Sequence, residues 1–250
     1  MCHELVACLT IIGLSTPLYC PAQNARPKIE LIGDSTQTDN AGYGRGFCAN
    51  LTAAVDCVNM AKGGASTKTF RQLGLWDKAI ASRPDYMLIQ FGHNDEVSET
   101  HNDRQVPIDG YRQNLRTFIA EARAAGVKPI LVTPLTRRYF GKDGKIHSDL
   151  TAYCDAMKEV AAEQHVPLID LQPGSIAYLD SIGEKAGNKL GLTKKDKDGN
   201  VVPDKTHLNL QGSYVFGRIV AEDLRNVEPA LANYVLPDPA AVNVVAPQPR

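Results

Sequence analysis

The chain has 250 residues, 43% of them apolar, enough for one globular domain with a sizeable core. Its 27 Lys and Arg against 28 Asp and Glu leave a formal net charge of −1, with no basic stripe for nucleic acid and no acidic run. The six cysteines contain no Cys-x-x-Cys spacing, which excludes zinc and thioredoxin-like readings.

Residues 1–22 read as a signal peptide. Leu5 to Leu14 is an apolar stretch of the right length, and Tyr19-Cys20-Pro21-Ala22 offers a small-residue exit near Ala22. The stretch is too short to span a bilayer, so no membrane partner is expected. Met1 to Glu4 carries no Lys or Arg, the one feature against this reading. A secreted or periplasmic protein follows. Removal of the leader leaves Cys48, Cys57 and Cys154; Cys48 and Cys57 flank one helix-to-strand connection and could pair in an oxidising compartment.

Five strand-like runs then recur, each followed by a helical pattern: Lys28–Ile32, Val55–Asn59, Tyr86–Phe91, Pro129–Thr133 and Pro167–Asp170. The third and fourth are nearly continuous apolar runs, as suits strands buried on both faces of a parallel sheet. Apolar spacing predicts helices over Tyr111–Ala125, stopped by Gly126, over Thr151–Gln164 ahead of Pro167, and over Leu208–Val227. Alternating elements of this length imply a three-layer α/β domain over residues 23–228 with right-handed crossovers. From Pro229 to Arg250 Pro and Ala dominate, and the last dozen residues are expected to form an extended tail.

The strand ends carry the chemistry. The first run ends in Gly33-Asp34-Ser35, which makes Ser35 a candidate nucleophile at the carboxyl rim of the sheet. The second leads into Lys62-Gly63-Gly64-Ala65-Ser66, whose glycines let backbone N–H groups approach a ligand. The third delivers Gly92-His93-Asn94-Asp95, where the Asn94 amide could meet a developing negative charge and His93 is a weaker candidate base. Asp204 and His207 lie three residues apart before the final helix; an Asp can fix a His tautomer and leave its other nitrogen as general base. Each segment alone is equally a turn or cap. Asp196 to Asn200 lacks the spacing of a calcium loop and reads as a surface turn.

In this order the segments resemble the SGNH (GDSL-type) hydrolase family. Gly33-Asp34-Ser35 matches its first block, Gly64 the second, Gly92-His93-Asn94-Asp95 the third, and Asp204 with His207 the fifth, together spanning residues 28–227. Gly-Asp-Ser-Thr at Gly33–Thr36, Gly63-Gly64-Ala65-Ser66 and Thr206-His207-Leu208-Asn209 are most similar to the rhamnogalacturonan acetylesterases. The resemblance implies a flavodoxin-like α/β/α fold with a five-stranded parallel sheet and serine hydrolysis of acetyl esters on a polysaccharide, here pectin. It implies Ser35 as nucleophile, His207 as base and Asp204 as its orienting carboxylate. The oxyanion hole would comprise the Ser35 and Gly64 N–H groups and the Asn94 amide, with no metal or organic cofactor. The choice of Gly64 over Gly63 rests on the family pattern alone.

Arg137 and Arg138, just past the fourth strand, are expected on the same rim as carboxylate-binding residues for a galacturonate-containing substrate. Rival substrates within the family are acetylxylan and small acetylated sugars. A lipid fits less well, because the rim loops are polar. A non-catalytic carbohydrate-binding domain is the rival of a different class. Dinucleotide binding is rejected: Gly42-Tyr43-Gly44-Arg45-Gly46 has the wrong spacing, and Asn59 rather than an acidic residue closes the second strand.

Overall fold

In a computed structural model, residues 26–98 and 102–238 are described; the expected leader over 1–22 and tail residues 239–250 lie outside them. The elements run β1 (Lys28–Gly33), α1 (Gly44–Ala49), β2 (Asp56–Asn59), α2 (Thr67–Gln72), α3 (Leu75–Ala81), β3 (Tyr86–Gln90), α4 (Ile108–Ala124) and β4 (Lys128–Val132). They continue α5 (Thr151–Gln164), β5 (Leu168–Ile169), α6 (Leu171–Asn188), β6 (Gly191–Lys195), β7 (Val201–Leu208) and α7 (Leu210–Val227). The first five strands form one parallel sheet in the order β2-β1-β3-β4-β5. The three-layer fold and all five strand runs are as expected from the sequence.

Alternate strand residues divide the core into two layers, because successive side chains leave a strand on opposite faces. Leu31, Leu88, Ile130 and Val132 pack with Phe47 of α1, Leu179 of α6 and Phe216, Val220 and Leu224 of α7. Ile32, Met87, Ile89 and Leu131 face Phe70 of α2, Trp76 of α3, Leu115 and Phe118 of α4 and Met157 of α5. Helix α4 buries Tyr111, Leu115, Phe118, Ile119 and Ala122 along one stripe. Gly126, at φ +78°, ends it with Val127 N–H on the Ala122 carbonyl and Gly126 N–H on the Arg123 carbonyl.

The chain reverses direction across the sheet at β1, which has β2 on one side and β3 on the other. At such a switch point the loops leaving neighbouring strands diverge to opposite faces and open a crevice at the carboxyl ends. Ser35 follows β1 and Asn94 follows β3, so the crevice lies between them.

Three features depart from the sequence expectation. The segment around Lys194–Lys205 is an antiparallel hairpin of β6 and β7, with the Asp196–Asn200 surface turn at its tip closed by Asp196 N–H on the Asn200 carbonyl. Helix α6 has Pro173 and Gly174 in its first turn and a break at Gly183 (φ 74°), which hide its periodicity. The domain also continues past 228. Pro229–Tyr234 forms a 3-10 helix, Leu231 and Val235 are buried, and Val235 bridges to Leu51.

Cys48 at the end of α1 is joined to Cys57 of β2 with a Cα separation of 5.7 Å, and Cys154 is a buried free thiol. Closing a nine-residue separation restricts the unfolded chain by about 2 to 3 kcal/mol. A Cys48→Ser/Cys57→Ser variant should lose that amount in urea-unfolding free energy, and equal stabilities would contradict a stabilising bond.

Candidate active site

Gly33 ends β1 where no side chain fits: a Cβ there would lie 2.3 Å from Gln37 Oε1 and 2.3 Å from the Gln90 carbonyl oxygen. The chain then turns through a 3-10 segment, Ser35–Gln37, capped by the Asp34 carboxylate, which accepts from Thr36 N–H at 2.9 Å. This turn leaves Ser35 half-buried at the rim while Asp34, Thr36 and Gln37 point inward and are fully buried.

Asp204 and His207 arrive from the far end of the chain on β7. His207 Nε2 is 2.9 Å from Ser35 Oγ, and His207 Nδ1 is 2.9 Å from Asp204 Oδ2. The second Asp204 oxygen accepts from the N–H groups of Thr206 (2.8 Å) and His207 (3.0 Å). Burial pushes the Asp204 carboxyl up, but the His207 side-chain bond and these two N–H groups outweigh it and hold it below its ordinary value. An ionised Asp204 only accepts, so Nδ1 carries the proton and Nε2 is the acceptor facing the Ser35 hydroxyl. The three residues form one hydrogen-bonded line.

The loop after β2 runs beside this line because parallel pairing continues past the strand, with Met60 N–H on the Leu31 carbonyl and Lys62 N–H on the Gly33 carbonyl, both 2.9 Å. A Cβ on Gly63 would stand 3.9 Å from Ser35 Cβ, and Gly64 has φ +77°, where a side chain is strained. Ser66 then starts α2 with a capping box to Thr69. After β3, Asn94 is buried and donates to the Ala65 carbonyl at 3.0 Å, leaving its second amide N–H for another acceptor. The Gly63–Gly64 turn and the Asn94 amide are therefore tied together next to Ser35.

His93 turns away from the serine. It is buried, with Nδ1 3.4 Å from Asp34 Oδ2 and 3.5 Å from Thr36 Oγ1. Asp34 also accepts from Thr36 Oγ1 (2.8 Å) and Gln90 Nε2 (3.2 Å). Burial would raise the Asp34 carboxyl, yet the His93 charge and the hydrogen bonds from His93 and Thr36 keep it below its usual value. Asp95 has the opposite balance. It accepts from Thr67 N–H (3.0 Å) and Thr67 Oγ1 (2.5 Å), but burial prevails and pushes it up to about 7.

The expectation for Arg137 and Arg138 is corrected. Arg137 is held by Glu96 (2.7 Å) and Asp149 (2.6 Å) and donates to the His93 carbonyl at 3.2 Å, so its charge is already matched. Arg138 is fully buried and its Nη2 donates to the carbonyls of Asp204 (2.6 Å) and His207 (2.7 Å). A sequence shows the guanidinium but not which way the loop after β4 turns it. No group of three or more His, Cys, Asp or Glu side chains among the described residues is placed to hold a metal ion.

The description "GDSL-like Lipase/Acylhydrolase family" belongs to the family model that matches residues 31–214. The chain belongs to this family. Its members are carboxylic ester hydrolases, and so is this protein. Among curated relatives, a rhamnogalacturonan acetylesterase of Bacillus subtilis strain 168 is 33% identical over 223 residues, covering 84% of this chain and 94% of its own. A probable rhamnogalacturonan acetylesterase of the same strain is 32% identical over 207 residues, covering 80% and 93%. Among solved structures, a Bacillus subtilis protein aligns with TM-score 0.68 at 26% identity, over 80% of this chain and 56% of that one. A mutant of an acetylxylan esterase from Geobacillus stearothermophilus aligns with TM-score 0.61 at 19% identity, over 80% and 94%, and shows the shared fold.

His93, a weaker candidate base from sequence, belongs with Thr36, Gln90, Asp95, Thr67 and Asn114 to a polar layer beneath the rim of this hydrolase that sequence reasoning missed. One signal was present, since Gln90 interrupts an otherwise apolar strand. The layer has a measurable consequence. A carboxyl at about 7 in the folded state and near 4 when unfolded binds its proton more tightly when folded, so its contribution is complete below pH 4 and is lost as pH rises to 7. Unfolding free energy measured from pH 4.5 to 7.5 should therefore fall by a few kcal/mol less in Asp95→Asn than in the parent. Parallel curves would show that Asp95 is already ionised at the lower pH.

Proposed function

We propose that this hydrolase removes O-acetyl groups from a plant cell-wall polysaccharide, rhamnogalacturonan first among them, through an acetyl-serine intermediate. The observation that carries the chemistry is the line from Ser35 Oγ through His207 to Asp204, with both links at 2.9 Å. The substrate rests on two relatives at 32% and 33% identity, one a probable and one a named rhamnogalacturonan acetylesterase, that align over nearly their whole length.

In this reading His207 Nε2 takes the Ser35 proton as Oγ attacks the acetyl carbonyl, and Asp204 stabilises the imidazolium that forms. The carbonyl oxygen becomes an oxyanion bound by the N–H groups of Ser35 and Gly64 and by the free Asn94 N–H. The intermediate collapses with the sugar oxygen leaving, protonated from His207 Nε2, and acetyl stays on Ser35. Water repeats the sequence, losing a proton to His207, and acetate departs with Ser35 restored.

Two open grooves are relevant, the first of which includes Gly64. One, of about 280 Å³, is lined by Gly63, Gly64, Thr69, Gln72, Asp103 and Arg104. The other includes Asn209, Leu210 and Tyr214, and begins two residues beyond His207. Exposed Tyr214 offers an aromatic face beside hydrogen-bonding groups, the mixture a sugar chain uses. We further infer export through residues 1–22, and the Cys48–Cys57 bond supports an oxidising destination.

Acetate release from acetylated rhamnogalacturonan and acetylxylan, compared side by side, tests this reading. The parent should act faster on the first, Ser35→Ala should lose activity by several orders of magnitude, and Asn94→Ala should lose roughly 10²- to 10³-fold in kcat. Absence of release from every acetyl ester would falsify the esterase assignment, and faster release from acetylxylan would reassign the substrate.

A further inference from the structure

The stretch of β7 that carries Asp204 and His207 is not supported by its own hairpin. The β6–β7 register pairs Thr193 with Pro203 and then Gly191 with Leu208, so residues 204–207 fall at an irregularity, outside the strand pairing of the described residues. An unpaired strand segment leaves carbonyls without donors and lets the backbone drift. Arg138 supplies what β6 does not. Its main-chain N–H donates to the Lys205 carbonyl at 2.8 Å, and its Nη2 donates to the Asp204 carbonyl at 2.6 Å and the His207 carbonyl at 2.7 Å.

Position 191 is glycine for the same reason. A Cβ there would stand 2.3 Å from Arg138 Nη2 and 2.9 Å from the Asp204 carbonyl oxygen. Arg138 also takes a large burial penalty. Its side chain is fully buried, Nε and Nη1 have no partner among the described residues, and burial pulls its pKa down to about 10, still cationic at neutral pH. Packing alone would be better served by an apolar side chain of this size, because a buried and incompletely paired ion is costly. The groups it does satisfy belong to the loop that carries the base and its orienting carboxylate.

We propose that Arg138 is a positioning residue for the ester hydrolysis, clamping the backbone of residues 204–207 so that His207 meets Ser35. It touches no substrate. The proposal rests on Ser35, His207 and Asp204 being the catalytic set, and deepens that reading.

Full-length Arg138→Met and Arg138→Lys are compared with the parent on a small acetyl ester, at a temperature where each is folded by circular dichroism. Leu224→Ala, a core truncation away from the site, controls for lost stability. Arg138→Met should lose roughly 10²-fold in kcat, as expected for a base displaced by about 1 Å, with KM within about threefold. Arg138→Lys, with a cation but no planar fork, should recover part of this and remain roughly tenfold below the parent. Leu224→Ala should keep its kcat. Parental kcat in Arg138→Lys, or an Arg138→Met loss no greater than that of Leu224→Ala, overturns the proposal; if Arg138→Met does not fold, Arg138→Lys against Leu224→Ala decides. Ser35→Ala separates the two readings: an active Ser35→Ala removes the catalytic set itself, whereas an inactive Ser35→Ala beside an unimpaired Arg138→Lys removes only the clamp.

Discussion

The 2.9 Å contact between His207 Nε2 and Ser35 Oγ joins atoms 172 residues apart in sequence, and most of the architecture serves to make it. Ser35 has its place because β1 lies inside the sheet between β2 and β3, and ends in a glycine that lets the chain turn at once. His207 has its place because β7 returns to the rim, where Leu208 N–H donates to the Ala41 carbonyl at 2.8 Å, and because α7 starts immediately afterwards on the Asn209 cap. Helix α7 packs with α1 through close glycine contacts: a Cβ on Gly46 would lie 2.0 Å from the Ser213 carbonyl oxygen, and one on Gly217 would lie 2.2 Å from Phe47 N. The segments that follow Ser35 and His207 are thus held by backbone approach as well as by side chains.

Beneath the contact lies a polar layer that an apolar core of the same volume would not need. Asp34 with His93, and Asp95 with Thr67, are buried in separate hydrogen-bonded groups under the loops that carry Ser35 and Asn94. Networks of this kind fix side-chain directions strongly when satisfied and are costly when not. The two carboxyls shift in opposite directions, Asp34 lowered against its burial chiefly by His93, and Asp95 raised by burial with the Asp34 charge adding to it. Thr36 belongs to this layer and is fully buried, so its place in the Gly-Asp-Ser-Thr run is explained by support of Asp34 and not by contact with substrate.

What the sequence made legible was whatever depends on local pattern. Runs such as Tyr86–Phe91 and Ile130–Thr133 are apolar because both faces of their strands are covered, and the covering helices α4, α5 and α7 keep a stripe at helical spacing. Residues at strand ends followed directly, and their order brought out the family. The β6–β7 hairpin left little trace, because most of β6 is exposed and no apolar alternation marks it; Asp198-Gly199 was its one turn signal. Burial of a charge is decided by distant segments. Arg137 and Arg138 look alike in sequence, yet one meets Glu96 and Asp149 while the other is enclosed behind Asp204. The ordered extension beyond Glu228 is hidden for the same reason, since Pro and Ala say nothing of the sites that Leu231 and Val235 fill.

The central claim is that Ser35 is an activated nucleophile, and covalent capture tests it most directly. Full-length protein treated with a small fluorophosphonate, followed by intact mass and peptide mapping, should gain one adduct, on Ser35, and His207→Ala should label far more slowly. An adduct at any other residue, or none while the protein still hydrolyses an acetyl ester, would contradict the account.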